Sequence, residues 1–202
     1  MNKNKVAMIA TGLTALLAFG PSASFAQATT FSGEAVGLKA NVVGVSLSVA
    51  DTGALPSSGG NLSNSVASVN VAGIAAANTL SSSTSGSGST SQSQATLQDV
   101  NLLNGLVAAT AVKSNSSATC SNGQASVSGN AELVGLTVAG QSILVSNPNL
   151  SISLPGGISV IINQQTSSSG GTSGSMTVNA LHVTGPSIDI VVASAQSDIT
   201  CS

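Results

Sequence analysis

From residue 30 onward, apolar side chains recur at every second position. Val36, Leu38, Ala40 and Val42 alternate with their neighbours, and Val43, Val45, Leu47 and Val49 continue one residue out of phase. A period of two sends successive side chains to opposite faces, which is the pattern of a β-strand with one buried face. The one-residue slip predicts a bulge, because a shift of one flips the inward face. Similar runs follow at Val69 and Val71, Leu136 and Val138, Leu150 to Leu154, Ile158 to Ile162, Met176 to Ala180 and Ile188 to Val192. Pro155-Gly156-Gly157, between two of them, reads as a hairpin turn. Ala75 to Ala77 and Leu106 to Val112 are alanine-rich, but neither has a charged face at helical spacing, and both read as strands. The expectation is an all-β, antiparallel, two-layer sandwich-like domain. The architectural rival is a parallel β-solenoid, for which no short regular threonine array is present.

Two stretches break the pattern. Ser81 to Ser93 and Thr166 to Ser175 are almost wholly Ser, Gly, Thr and Gln, the composition of a solvated coil, and are expected to be flexible loops. They also belong to a set of ordered correspondences. Val36-Gly37-Leu38 recurs as Val134-Gly135-Leu136, and Leu55-Pro56 as Leu154-Pro155. Val100-Asn101-Leu102-Leu103 recurs as Val178-Asn179-Ala180-Leu181, and the run ending at Thr119-Cys120 as that ending at Thr200-Cys201. These suggest an internal duplication, with halves at about 30–120 and 121–202 folded against each other.

The N-terminus has the tripartite layout of a secretory signal. Lys3 and Lys5 precede an uncharged apolar stretch from Val6 to Phe19, broken by Gly20-Pro21. Ser24-Phe25-Ala26 places small residues for cleavage between Ala26 and Gln27, with cleavage after Ala28 the near alternative. The apolar stretch falls short of the ~20 residues that span a bilayer. The expectation is a signal peptide over 1–26, a single domain over 27–202, and a secreted or periplasmic location. No apolar helix follows Cys201 and no cysteine follows the signal, so no membrane span or lipid anchor is expected in the mature chain.

Composition then narrows the possible partners. The part after residue 26 holds six acids against Lys39 and Lys113, has no arginine, and keeps Phe31 as its single aromatic residue. Nucleic-acid binding needs basic grooves and aromatic stacking or many phosphate contacts, none of which this chain supplies. Sugar binding by aromatic stacking is excluded likewise, while hydrogen-bonding lectin modes remain open.

Chemistry-bearing residues are sparse. The two cysteines, Cys120 and Cys201, both follow threonine, and in an exported chain a lone, widely separated pair reads as a structural disulfide. His182 is the only histidine and sits in a strand-like run without a Gly-x-Ser-x-Gly elbow, so it is read as a residue of a strand's polar face. One histidine and scattered acids fall short of a zinc or calcium ligand set. No catalytic, cofactor-binding or metal-ligating residue is assigned, and no cofactor is expected.

Ala35-Val36-Gly37-Leu38, the run Val100 to Ala108, Val178-Asn179-Ala180-Leu181-His182-Val183 and the two Thr-Cys endings together resemble the choice-of-anchor P family of exported bacterial proteins. The resemblance extends over essentially all of the region after the signal. The family is named for different C-terminal sorting signals carried on a shared domain, and has no established activity. It implies an exported, surface-associated role; the missing anchor is where this chain departs from it. The leading expectation is a non-catalytic structural or interaction domain of the bacterial cell envelope or its surroundings, with envelope proteins or glycans as partners. The alternatives are a lectin-like or adhesive module and an unrecognised hydrolase.

Overall fold

The computed structural model describes residues 28–145 and 147–202. The expected signal peptide and the Ala26–Gln27 cleavage position lie outside them.

Among the described residues, alternation translates into thirteen strands: β1 (Thr30–Val42), β2 (Val45–Asp51), β3 (Gly60–Val71), β4 (Ala75–Ser87), β5 (Thr90–Leu102), β6 (Val107–Ser121), β7 (Gln124–Val134), β8 (Thr137–Val138), β9 (Gln141–Ser142), β10 (Leu150–Leu154), β11 (Ile158–Gly170), β12 (Ser173–Gly185) and β13 (Ile188–Thr200). They form two sheets packed as a sandwich. The first has the order β10-β11-β12-β13-β1-β2, and the second β3-β4-β5-β6-β8-β9 with β7 also on β6. Every pairing is antiparallel, so the fold is the sandwich and not the solenoid.

Short turns set the registers. Asn122-Gly123 joins β6 to β7 with φ of 51° and 70°, the geometry of a two-residue hairpin turn with both central residues left-handed. The expected bulge at residues 42–45 is a turn of the same kind. Val42 pairs with Val45, and Val43 and Gly44 have φ of 51° and 80°. A two-residue turn reverses the chain and resets the alternation, which in sequence looks the same as a phase slip.

The two expected loops are strands. Ser81 to Ser93 covers the ends of β4 and β5 around Gly88-Ser89, and Thr166 to Ser175 covers those of β11 and β12 around Gly171-Thr172. Coil composition misleads here because the ladder is made by the backbone, and a small hydroxyl side chain suits either face. Along β4 the inward residues Ser82 and Thr84 are buried while Ser81 and Ser83 are exposed. The alanine-rich runs do lie in strands, in β4 and β6, apart from Leu106 at the edge of a turn.

The two sheets share one strand order. Counted from the edge, β10, β11, β12 and β13 match β3, β4, β5 and β6. The next place is held by β1 in one sheet and by β7 and β8 in succession in the other. The expected halves therefore are not the two layers. Residues 30–51 join the sheet of the later strands, and residues 124–142 join that of the earlier ones. Three of the sequence correspondences also fall out of step with this order. Val100 pairs with Ala109 as Val183 pairs with Ile190, so the place of Val100 is taken by Val183 rather than Val178. Leu55-Pro56 precedes β3, whereas Leu154-Pro155 stands at the end of β10. Val134 pairs with Ala111 as Leu38 pairs with Val192, which puts Val134 at the place of Leu38, not Val36. In a chain this rich in Ser, Ala and Val, letters match at several offsets, and turns and irregular pairings decide among them.

The core has two apolar ends. Most aliphatics, among them Leu38, Leu80, Leu97, Leu102, Ile162 and Ile190, form one cluster. Phe31, Leu55, Ala118 and Ile199 form a second, smaller one. Between them the interior is lined by hydroxyls. Along β6, buried Ser114 and Ser116 lie between Val112 of the first cluster and Ala118 of the second, and along β13 buried Ser197 lies between Ala193 and Ile199.

Candidate interaction faces and the hydroxyl seam

Burying a hydroxyl is costly unless it finds a partner; Ser82 Oγ and Ser114 Oγ are buried without one, while the other hydroxyls of the interior seam are paired. Ser93 Oγ donates to the carbonyl of Gln196, which leaves Thr84 to donate to Ser93 Oγ at 2.7 Å. Ser91 Oγ donates to the carbonyl of Ser32 at 3.0 Å. Ser197 Oγ donates to the carbonyl of Ser116 at 3.2 Å, so Ser116 Oγ donates to Ser197 Oγ at 2.8 Å. One residue beyond β13, the chain closes this end covalently. Cys120 and Cys201 form a disulfide with a Cα–Cα distance of 5.6 Å. The bridge suits an oxidising compartment outside the cytoplasm. Sequence reading found the cysteine pair and missed the hydroxyls. A signal was present in Ser91-Gln92-Ser93-Gln94, where small and large polar residues alternate with the period of a strand.

His182 sits on the outer face of the first sheet, half-buried. Its Nδ1 is 3.0 Å from Gln164 Oε1 and its Nε2 is 3.0 Å from Asp189 Oδ1. Gln164 Oε1 also accepts from Asn179 Nδ2 at 2.8 Å. Both ring nitrogens therefore face acceptors, and the ring makes the two bonds together only when both carry protons. A triad base needs one nitrogen turned to a hydroxyl nucleophile, and here neither is. A hollow of about 520 Å³ beside the ring is lined by Lys39, Asn41, Ser46, Ser48 and Asp189. Of the acids, only Asp189 meets His182, and no cluster of three or more His, Cys, Asp or Glu positioned for a metal occurs among the described residues.

The outer face of the second sheet carries a neutral polar lattice. Cross-strand pairing aligns Ser83, Gln94, Asn115 and Asn130 in one row, and Ser85, Gln92, Ser117 and Ser128 in the next. Neighbours in a row stand about 4.8 Å apart, the strand spacing. The two rows line a shallow depression of about 420 Å³. Each side chain presents a hydroxyl or an amide, so these two rows offer donors and acceptors together without charge, and the charged pair Lys113 and Glu132 follows in the adjacent row. No helix among the described residues is long and apolar enough to cross a membrane.

Fold and faces together define a disulfide-tied antiparallel β-sandwich with uncharged polar rows on an outer surface. Comparison with family models, with curated proteins and with solved structures finds no match for this chain.

Proposed function

We propose that this chain is an exported, non-catalytic domain with a structural or interaction role in the bacterial cell envelope or its surroundings, as the resemblance to choice-of-anchor P proteins implies. The observation that carries the reading is the neutral lattice of Ser, Gln and Asn over β4, β5, β6 and β7, a broad recognition surface without a titratable group in its two central rows. The cystine supports a secreted or periplasmic destination. Cell fractionation with a tagged full-length chain tests this: recovery from the medium, periplasm or wall fits it, and retention in the cytoplasm with free thiols refutes it.

A lectin-like or adhesive mode is the second reading, favoured by the same two rows. Gln94 and Asn115 are adjacent, and their amides can each give and take a hydrogen bond with a sugar hydroxyl. Binding on a glycan array that vanishes in the Gln94→Ala/Asn115→Ala variant supports it; silence of the native chain across the array removes it. The hydrolase alternative has less support, because His182 has both nitrogens engaged.

A further inference from the structure

The shared strand order makes one half of the sandwich a template for the other, and the two differ beside β4 and β11. In the first half, the segment from Thr52 to Ser65 runs down the edge of β1 and then turns to pair with β4. Thr52 N–H donates to Ala35 O, Leu55 N–H to Gly33 O and Phe31 N–H to Ser57 O, after which Gly60 to Ser65 pair with Gly86 to Ser81. Leu55 and Leu62 from this segment pack on Phe31.

The second half has the same two edges without the segment, and they are joined directly at two points, where Ala125 N–H donates to Gly171 O at 2.9 Å and Ala131 N–H donates to Asn163 Oδ1 at 3.1 Å. β10 reaches only from Leu150 to Leu154 and pairs with Ile162 to Ile158, so among the described residues no strand lies beside the far end of β11. Asn149 closes β10's start, its Oδ1 accepting from Gln165 N–H at 2.8 Å. That bond shows that Gln165 N–H points away from β12, and alternation gives Ser167 and Ser169 the same direction. Thr84 pairs with Ser93 as Ser167 pairs with Met176, and both rows continue to the Ser116 and Ser197 pair, so Ser167 stands at the place of Thr84. Thr84 is 2% exposed, whereas Ser167 is open to solvent. On the facing edge, Val127 pairs with Ala118 as Phe31 pairs with Ile199, and Val127 is only partly covered.

We infer that the groove between β7 and the end of β11 is a seat for an extended segment of another polypeptide, which adds as an antiparallel strand to Thr166–Ser169, through the outward N–H groups of Ser167 and Ser169, and places an apolar side chain against Val127. Strand addition draws affinity from backbone hydrogen bonds and specificity from alternate side-chain pockets. The partner's chemistry follows from the template: an uncharged stretch of small residues carrying a leucine-sized side chain, as in Gly60-Asn61-Leu62-Ser63-Asn64. A second copy of this chain does not supply it by edge-to-edge pairing of β11, because Gln165, Ser167 and Ser169 would bring no apolar residue to Val127. This inference is independent of the polar lattice on the opposite face of the second sheet.

The test is titration of the isotope-labelled, oxidised protein with a synthetic peptide of residues 52–65, read residue by residue from amide chemical shifts. The expected result is saturable shifts at Val127, Gly129, Ser167 and Ser169. Ser167→Pro removes an outward N–H without touching the β11–β12 ladder, a place where an edge strand tolerates proline. It should keep the native amide spectrum elsewhere and weaken binding at least about tenfold, as loss of a backbone bond and its neighbours predicts. A peptide with both leucines replaced by serine should weaken equally. No saturation at millimolar peptide, shifts confined to β1 and β4, undiminished binding by Ser167→Pro, or self-association through this groove without peptide would each overturn the inference.

Discussion

Ser116 Oγ and Ser197 Oγ lie 2.8 Å apart on facing strands, each four residues before a cysteine, and those two cysteines are bonded to each other. Residues holding the same place in β6 and β13 thus meet each other twice, once by a hydrogen bond and once by a disulfide. The two sheets are related about a line running between these strands. The seam is where their packing is least apolar and most exacting.

We expect the serine pair to be energetically coupled. Ser197→Ala removes the donor to Ser116 O and the acceptor of Ser116 Oγ, at a cost of about 1–3 kcal/mol for groups left buried and unpaired. Ser116→Ala with Ser197→Ala should cost less than the two single changes added, by at least about 0.5 kcal/mol. Urea denaturation of the four proteins in the cycle measures this, and strict additivity would show that the contact is incidental.

The disulfide should act largely on the unfolded chain. Cys120 and Cys201 are 81 residues apart, for which the loop-entropy relation gives about 4.5 kcal/mol, with measured losses for native bridges of about 2–5 kcal/mol. Cys120→Ser with Cys201→Ser should lower the denaturation midpoint accordingly while the strand signature in circular dichroism persists. An unchanged midpoint contradicts this.

Close approach of the sheets makes two glycines irreplaceable. A Cβ at Gly33 would stand 2.6 Å from Thr84 Oγ1 and 3.0 Å from the Gln196 carbonyl, and one at Gly129 would stand 2.4 Å from Val178 and 2.5 Å from Met176. Thr84 is held by its bond to Ser93, so it cannot simply swing aside. Alanine at either position should cost about 1–3 kcal/mol, the range for overpacking. Gly170→Ala meets nothing within 4 Å and should leave stability unchanged or raise it by up to about 1 kcal/mol, through the unfolded state. Thermal denaturation of the three variants separates the two classes.

Val43 occupies a left-handed position at φ 51° with its side chain 80% exposed. A β-branched residue is poorly suited to that conformation, which asparagine adopts readily before glycine. Val43→Asn should raise stability by about 0.5–1 kcal/mol. A decrease would mean that Val43 is held by a contact outside the chain.

The aliphatic strands were legible because their inward and outward residues differ in kind: Val160 and Ile162 against Ser159, or Ile190 and Val192 against Asp189, announce both strand and face. In Ser81 to Ser93 that contrast is missing. Ser82 and Ser83 are the same residue, one buried and one exposed, and no local pattern tells them apart. The polar lattice was illegible for a related reason. Gln94, Asn115 and Asn130 become neighbours only through the β5–β6–β7 register, which the turns at 103–106 and Asn122-Gly123 set by their geometry.

From the amino acids alone came strand as the dominant state, a cystine between Cys120 and Cys201, and the poverty of charge and aromatic rings on which the expectation of no nucleic-acid partner rests. Those properties are local or compositional, so they survive without knowledge of neighbours. Tertiary structure alone decided that β1 and β2 cross into the sheet of β10 to β13, that the serine-rich runs are ladders with hydroxyls turned inward, and that one end of β11 has, among the described residues, no partner such as β4 has. Each of these depends on which distant backbone supplies the next hydrogen bond, and a hydroxyl as small and ambivalent as that of serine carries no local mark of the side it will face.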